Sequence, residues 1–87
     1  MNNVERIRQA NIEKKWTYKV ADVLIGRKIV KVEYMSNKEA GDNGWYSRPI
    51  CIQLDNGAWL VPMRDDEGND GGSISTTYKD LPVIPVI

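Results

Sequence analysis

The sequence predicts an α+β fold: a small curled antiparallel β-sheet of three to five strands, with a central hairpin over 49–63 and an N-terminal helix. Three observations predict it. Asn56-Gly57 sits between two apolar runs, ICIQL and WLVP, which is a strong short-range hairpin signal. Val30, Val32 and Tyr34 alternate with Lys31 and Glu33, the pattern of a half-buried strand. Val4–Ile7 and Ile12–Trp16 pair at helical spacing near the start of the chain. With 87 residues the chain is expected to be one domain, residues 1–22 as a helical lead-in and 23–87 as the sheet core.

In chain order, 2–16 reads as a helix, with Asn2 and Glu5 at capping-box spacing. Asn11 interrupts its apolar stripe, so a solvated lead-in with little tertiary support is expected. Residues 20–25, VADVLI, read as a short separate turn of helix stopped by Gly26, a natural residue just past a helix end. The first strand lies within 27–36. Residues 37–48 hold Gly41, Asp42, Asn43 and Gly44 and are expected to form a long turn rather than a helix. At the end of that connection, Trp45 either folds back as a lid on the core or stays exposed as a binding anchor.

For the hairpin, a two-residue type I′ turn at Asn56-Gly57 pairs Asp55 with Ala58. Leu54–Trp59, Ile52–Val61 and Ile50–Met63 then share one apolar face, and Cys51 lies opposite Pro62. Pro62 has no N–H, so regular pairing should stop or bulge there, or that side should be an edge. SIST (73–76) reads as a further short strand and 77–81 as a turn. In LPVIPVI, residues Val83, Ile84, Val86 and Ile87 need burial, while Pro82 and Pro85 suit an extended segment at a sheet edge.

Twelve basic and twelve acidic residues cancel, which argues against a general nucleic-acid binder. The single cysteine, Cys51, rules out an intramolecular disulfide and suits a semi-buried strand position in a reducing compartment. No apolar run approaches a membrane span and the start lacks the apolar core of a signal peptide, so a cytoplasmic location is expected. Three Trp and four Tyr occur with no Phe, a bias toward aromatics that keep one end in water or against a partner.

The most distinctive stretch is RDDEGNDGG, residues 64–72. Asp65, Asp66, Glu67 and Asp70 place four carboxylates close together, beside Asn69. Hard cations take such oxygens, but the helix-loop-helix calcium spacing fails: Asp70 stands where that loop needs Gly, and Thr76 where it needs Glu. A self-bonded solvated turn, or one paired with Arg48 or Arg64, explains the same residues. Catalytic chemistry lacks its parts. There is no His, Ser47 and Ser73 have no visible base, and nothing activates Cys51. Gly68, Gly71 and Gly72 do not form a phosphate loop, and the acids around them would repel phosphate. Basic residues concentrate in the first third of the chain and acids over 55–70, which either steers a partner or matches internally.

LIGRKIV (24–30), GWYSRP (44–49), LDNGAWLVPMRDDEGNDGG (54–72) and LPVIPVI (81–87) resemble a family of small uncharacterised bacterial proteins. These share a Gly-Trp-x-x-Arg-Pro segment and an Asp-Asp-Glu-Gly-Asn-Asp loop. The resemblance spans about residues 23–87 and implies a complete domain; the family has no settled activity, so it assigns no site residue. The function expected from the residues is non-catalytic binding of a protein partner, or self-association, with no membrane, nucleic acid, cofactor or metal. The expected binding residues are Trp45, Tyr46, Arg48, Asp65, Asp66, Glu67, Asn69 and Asp70. The rival expectations are a divalent-cation protein or metal-dependent enzyme using the same loop, and a structural homodimer joined through the apolar tail.

Overall fold

No glycine or proline interrupts the chain between Asn3 and Ile25, so nothing breaks a helix there. In the computed structural model, which describes residues 3–63 and 70–87, this segment is one helix, α1 (Asn3–Leu24). It runs about 33 Å at the usual helical rise. The expected break between a 2–16 helix and a 20–25 turn does not occur, because Thr17, Tyr18 and Lys19 are weak helix formers at worst and not breakers. The stripe that anchors α1 lies across that junction: Trp16, Val20, Ala21, Val23 and Leu24 are half-buried, whereas Val4, Ile7 and Ile12 are exposed. Lys19 Nζ lies 5.3 Å from the centre of the Trp16 ring and covers it. Gly26 ends the helix at φ +83°, a left-handed conformation that glycine adopts without strain. The cap expected of Asn2 lies outside the described residues. Among the described residues, no helix is long and apolar enough to cross a membrane.

Among the described residues five strands follow: β1 (Ile29–Tyr34), β2 (Ile50–Leu54), β3 (Trp59–Pro62), β4 (Ile74–Thr76) and β5 (Val83–Ile84). They form one antiparallel sheet in sequence order, an open meander whose edges are β1 and β5. SIST thus forms the fourth strand, and the proline-flanked tail pairs at an edge, Ile74 with Ile84 and Ser75 with Val83. The tail is less buried than expected. Val83, Val86 and Ile87 are exposed, and the deeply buried residue of that segment is Leu81, at 2% exposure.

Residues 37–48 contain a helix after all, α2 (Asn37–Asp42). Its start is written in Ser36-Asn37-Lys38-Glu39: the Ser36 hydroxyl accepts the Glu39 backbone N–H at 3.1 Å, the Ser-x-x-Glu capping arrangement. Its end uses the residues that looked like a turn. Gly44, at φ +75°, donates its N–H to the Gly41 carbonyl at 2.9 Å, and Trp45 donates to Ala40 at 2.8 Å. That pair of bonds is the Schellman closure, in which glycine just past the helix end lets the chain turn back over its last turn. The turn signal was real, but it marked a helix terminus.

The hairpin register also differs from expectation. β2 and β3 pair Ile52 with Leu60 and Gln53 with Trp59, one residue away from the pairing that a two-residue turn requires. Leu54 N–H bonds to the Ala58 carbonyl at 2.9 Å, and Gly57 N–H to the Leu54 carbonyl at 2.9 Å. The loop is therefore three residues, Asp55-Asn56-Gly57, with Gly57 alone at positive φ (+89°). Neighbours decide the choice. The Asp55 N–H is taken by the Lys28 carbonyl at 2.9 Å, so it does not pair with Ala58. The Asn56 side chain accepts the Ala58 N–H at 3.1 Å and donates to Tyr78 Oη at 3.0 Å, which suits a negative φ at Asn56. The β2–β3 ladder stops short of Pro62, whose other side pairs with Ile74, as expected of a proline without a donor.

This register splits the apolar residues between two faces. Cys51, Trp59 and Val61 point to one side, where Met35, Ala40 and Cys51 form the buried cluster and Trp45, Trp59 and Val61 pack on it. Ile50, Ile52, Leu54, Ala58 and Leu60 share the other side. Tyr78 ties the sheet to α1: its hydroxyl donates to the Val23 carbonyl at 3.0 Å while accepting from Asn56 at the hairpin tip.

Candidate functional site

The Schellman closure of α2 delivers Trp45 onto the core and leaves the next residue pointing away from it. Trp45 is half-buried against the Met35–Ala40–Cys51 cluster, so the lid reading holds for this side chain. Tyr46 has no such cover and is fully exposed, at 105% of the reference area. Ser47 and Arg48 are exposed, and the chain then rejoins the sheet where the Pro49 carbonyl accepts the Met35 N–H at 2.9 Å.

Trp45, Tyr46 and Arg48 thereby line an open groove of about 730 Å³, together with Tyr34, Pro49, Ile50, Pro62 and Met63. Tyr34 and Ile50 are register partners across β1 and β2, so the sheet itself sets that part of the lining. A second cleft, of about 440 Å³, lies between the last turns of α1 and the tail, lined by Trp16, Val20, Leu24, Pro85 and Ile87.

Of the residues expected to bind, three are brought together: Trp45, Tyr46 and Arg48. Asp65, Asp66, Glu67 and Asn69 lie outside the described residues, as does Arg64. Asp70 is described and exposed, and its carboxylate accepts the Gly71 N–H at 2.8 Å, a local turn contact. Sequence reasoning missed Tyr34, Pro49, Pro62 and Met63. What joins them is the cross-strand register that sets Tyr34 beside Ile50 and brings Pro49 and Pro62 to the same end of adjacent strands, which no local pattern in the sequence carries. Among the described residues, no group of three or more His, Cys, Asp or Glu side chains is placed to hold a metal ion.

Cys51 is buried beneath this site, and its thiol pKa is raised, first by desolvation and then by the negative charges of Glu39 and Glu33. The folded state therefore holds the proton more tightly than the unfolded chain does. The thiol's contribution to stability is complete below the ordinary thiol range and is lost as pH rises through the raised folded value. Iodoacetamide at mildly alkaline pH should alkylate Cys51 more slowly than a small free thiol, because the thiolate attacks and the raised pKa keeps it scarce. The gap should narrow as pH rises. Equal rates in a mass-spectrometric time course would show an accessible thiol instead.

Comparison with protein-family models, curated proteins and solved structures finds no match to this chain.

Proposed function

We propose that the protein is a non-catalytic interaction module that seats an extended segment of a partner protein in the groove between Tyr46 and Met63. The observation that carries this reading is the fully exposed Tyr46 beside Trp45, Tyr34 and Arg48 in an open groove. An exposed tyrosine contributes little to folding, while aromatic and arginine side chains supply much of the energy at protein interfaces. A groove lined by three aromatics, two prolines and a methionine suits an extended, proline-containing segment, whose backbone is already ordered before it binds. From Met63 the chain runs into Arg64 and the acidic stretch Asp65, Asp66, Glu67 and Asp70, a sequence neighbour that favours a basic partner. A reducing cytoplasmic setting fits the single buried thiol.

The test is quantitative capture of partners from a lysate on immobilised wild-type protein and on the double variant Tyr46→Ala/Arg48→Ala, with a surface variant distant from the groove as control. Both replaced side chains are exposed, so the fold should be unaffected. A partner retained by wild type and control but reduced roughly tenfold or more on the double variant supports the groove. Identical capture on all three overturns it.

A further inference from the structure

The two edges of the sheet are built differently. β5 is two residues long and flanked by Pro82 and Pro85, a blunted edge that cannot extend a ladder. β1 is six residues long, contains no proline, and every one of its side chains is exposed. The Met35 N–H to Pro49 bond sets the alternation along β1. Lys31 and Glu33 turn their backbone groups toward β2, while Val32 and Tyr34 turn theirs outward. An outward edge this long is a template for another strand unless its charges repel one.

We propose that β1 pairs antiparallel with β1 of a second copy of this chain, about a twofold axis through Val32, so that two five-stranded sheets become one. The charges choose this partner. Lys31 and Glu33 lie on the same face, and in this register Lys31 stands opposite the partner's Glu33 while Glu33 stands opposite the partner's Lys31. These fall at non-hydrogen-bonded positions, where facing side chains come closest. Val32 meets the partner's Val32 at the hydrogen-bonded position its outward backbone groups require, and Val30 meets the partner's Tyr34. Within one chain Lys31 Nζ is already 3.5 Å from Glu33 Oε2, with both groups half in solvent, so exchanging partners needs little rearrangement. Parallel in-register stacking would instead set lysine against lysine and glutamate against glutamate. The bulge between Ile29 and Lys31 confines regular pairing to the centre of the strand, and the blunted β5 edges stop growth at two copies. The charged contacts of this pairing use neither Tyr46 nor Arg48, and it shares Tyr34 alone with the groove residues named above.

Sedimentation equilibrium of the full chain up to millimolar concentration tests the proposal. The expected mass is twice the 9.9 kDa of one chain. Lys31→Glu and Glu33→Lys, taken singly, each create two like-charge oppositions and should weaken self-association roughly tenfold. The double variant Lys31→Glu/Glu33→Lys restores opposite charges at both positions and should recover it. Val32→Pro removes an outward N–H without costing a bond to β2 and should leave a monomer whose circular dichroism is native. A wild-type monomer throughout, a double variant as weak as the singles, or a dimer that survives Val32→Pro each overturns the pairing.

Discussion

Leu81→Ala is expected to lower the free energy of unfolding by about 3 kcal/mol and the melting temperature by more than ~10 °C. Leu81 is the most deeply buried large side chain among the described residues, at 2% exposure, although it sits in a turn between two short strands. The backbone around it is pinned. Thr76 N–H bonds to the Pro82 carbonyl at 2.9 Å, Leu81 N–H bonds to the Tyr78 carbonyl at 3.3 Å, and the Thr76 hydroxyl donates to the Leu81 carbonyl. A pinned site cannot collapse into the space that truncation leaves, and that is where leucine-to-alanine changes are most costly. The rest of the core is small: beyond Leu81, the buried apolar residues described are Met35, Ala40, Cys51, Leu54 and Ala58. A domain of this size has about 5–10 kcal/mol in total, so the loss is a large fraction of it. Val83→Ala, two residues on and 43% exposed, should cost under ~1 kcal/mol. Urea unfolding of both variants with an unchanged slope would check the pair. Equal midpoints would mean that Leu81 is not the anchor of the C-terminal segment.

The contrast between Leu81 and Val83 shows what the sequence made legible. Local pattern identified the α+β class, the five-strand limit, the edge position of the tail and the effect of Pro62 on the ladder. It misplaced what depends on partners distant in sequence. The hairpin loop lengthened by one residue because Lys28 claims the Asp55 N–H and Tyr78 holds the Asn56 side chain, neither of which is visible in Asp-Asn-Gly itself. That single step moved Trp59 and Val61 from the face of Leu54 to the face of Cys51. α2 was legible and overlooked: Ser36 and Glu39 spell its start, and Gly44 marks its end. In the site, Trp45, Tyr46 and Arg48 are adjacent in the chain and were found together. Tyr34 and Met63 reach the same groove only through sheet pairing, so no local reading could join them to it.

Val61→Cys is expected to form a disulfide with the native Cys51 on oxidation and to raise the stability of the oxidised over the reduced form by roughly 3 kcal/mol. The register that pairs Ile52 with Leu60 and Gln53 with Trp59 places Val61 opposite Cys51. Leu54 bonds Ala58, so the hydrogen-bonded pairs toward β3 fall on even-numbered residues of β2 and the 51–61 pair is of the non-bonded kind. Such pairs hold their Cα atoms about 4.5 Å apart, within the span a disulfide bridges without moving the backbone. The register of a two-residue turn makes a different prediction, because it sets Pro62 opposite Cys51. Pro62→Cys is therefore the control: with the observed three-residue loop its side chain points to the other face and no bond should form. Oxidation of both variants should be faster at alkaline pH, since the thiolate is the reactive form and burial, Glu39 and Glu33 push the Cys51 thiol up. Reduced Val61→Cys should be slightly less stable than wild type, because Val61 packs on the core cluster, so the comparison that isolates the cross-link is oxidised against reduced protein of the same variant. Non-reducing mass spectrometry reads bond formation directly, and a bond at residue 62 but not at 61 would return the hairpin to the shorter turn and move Trp59 back to the opposite face of the sheet.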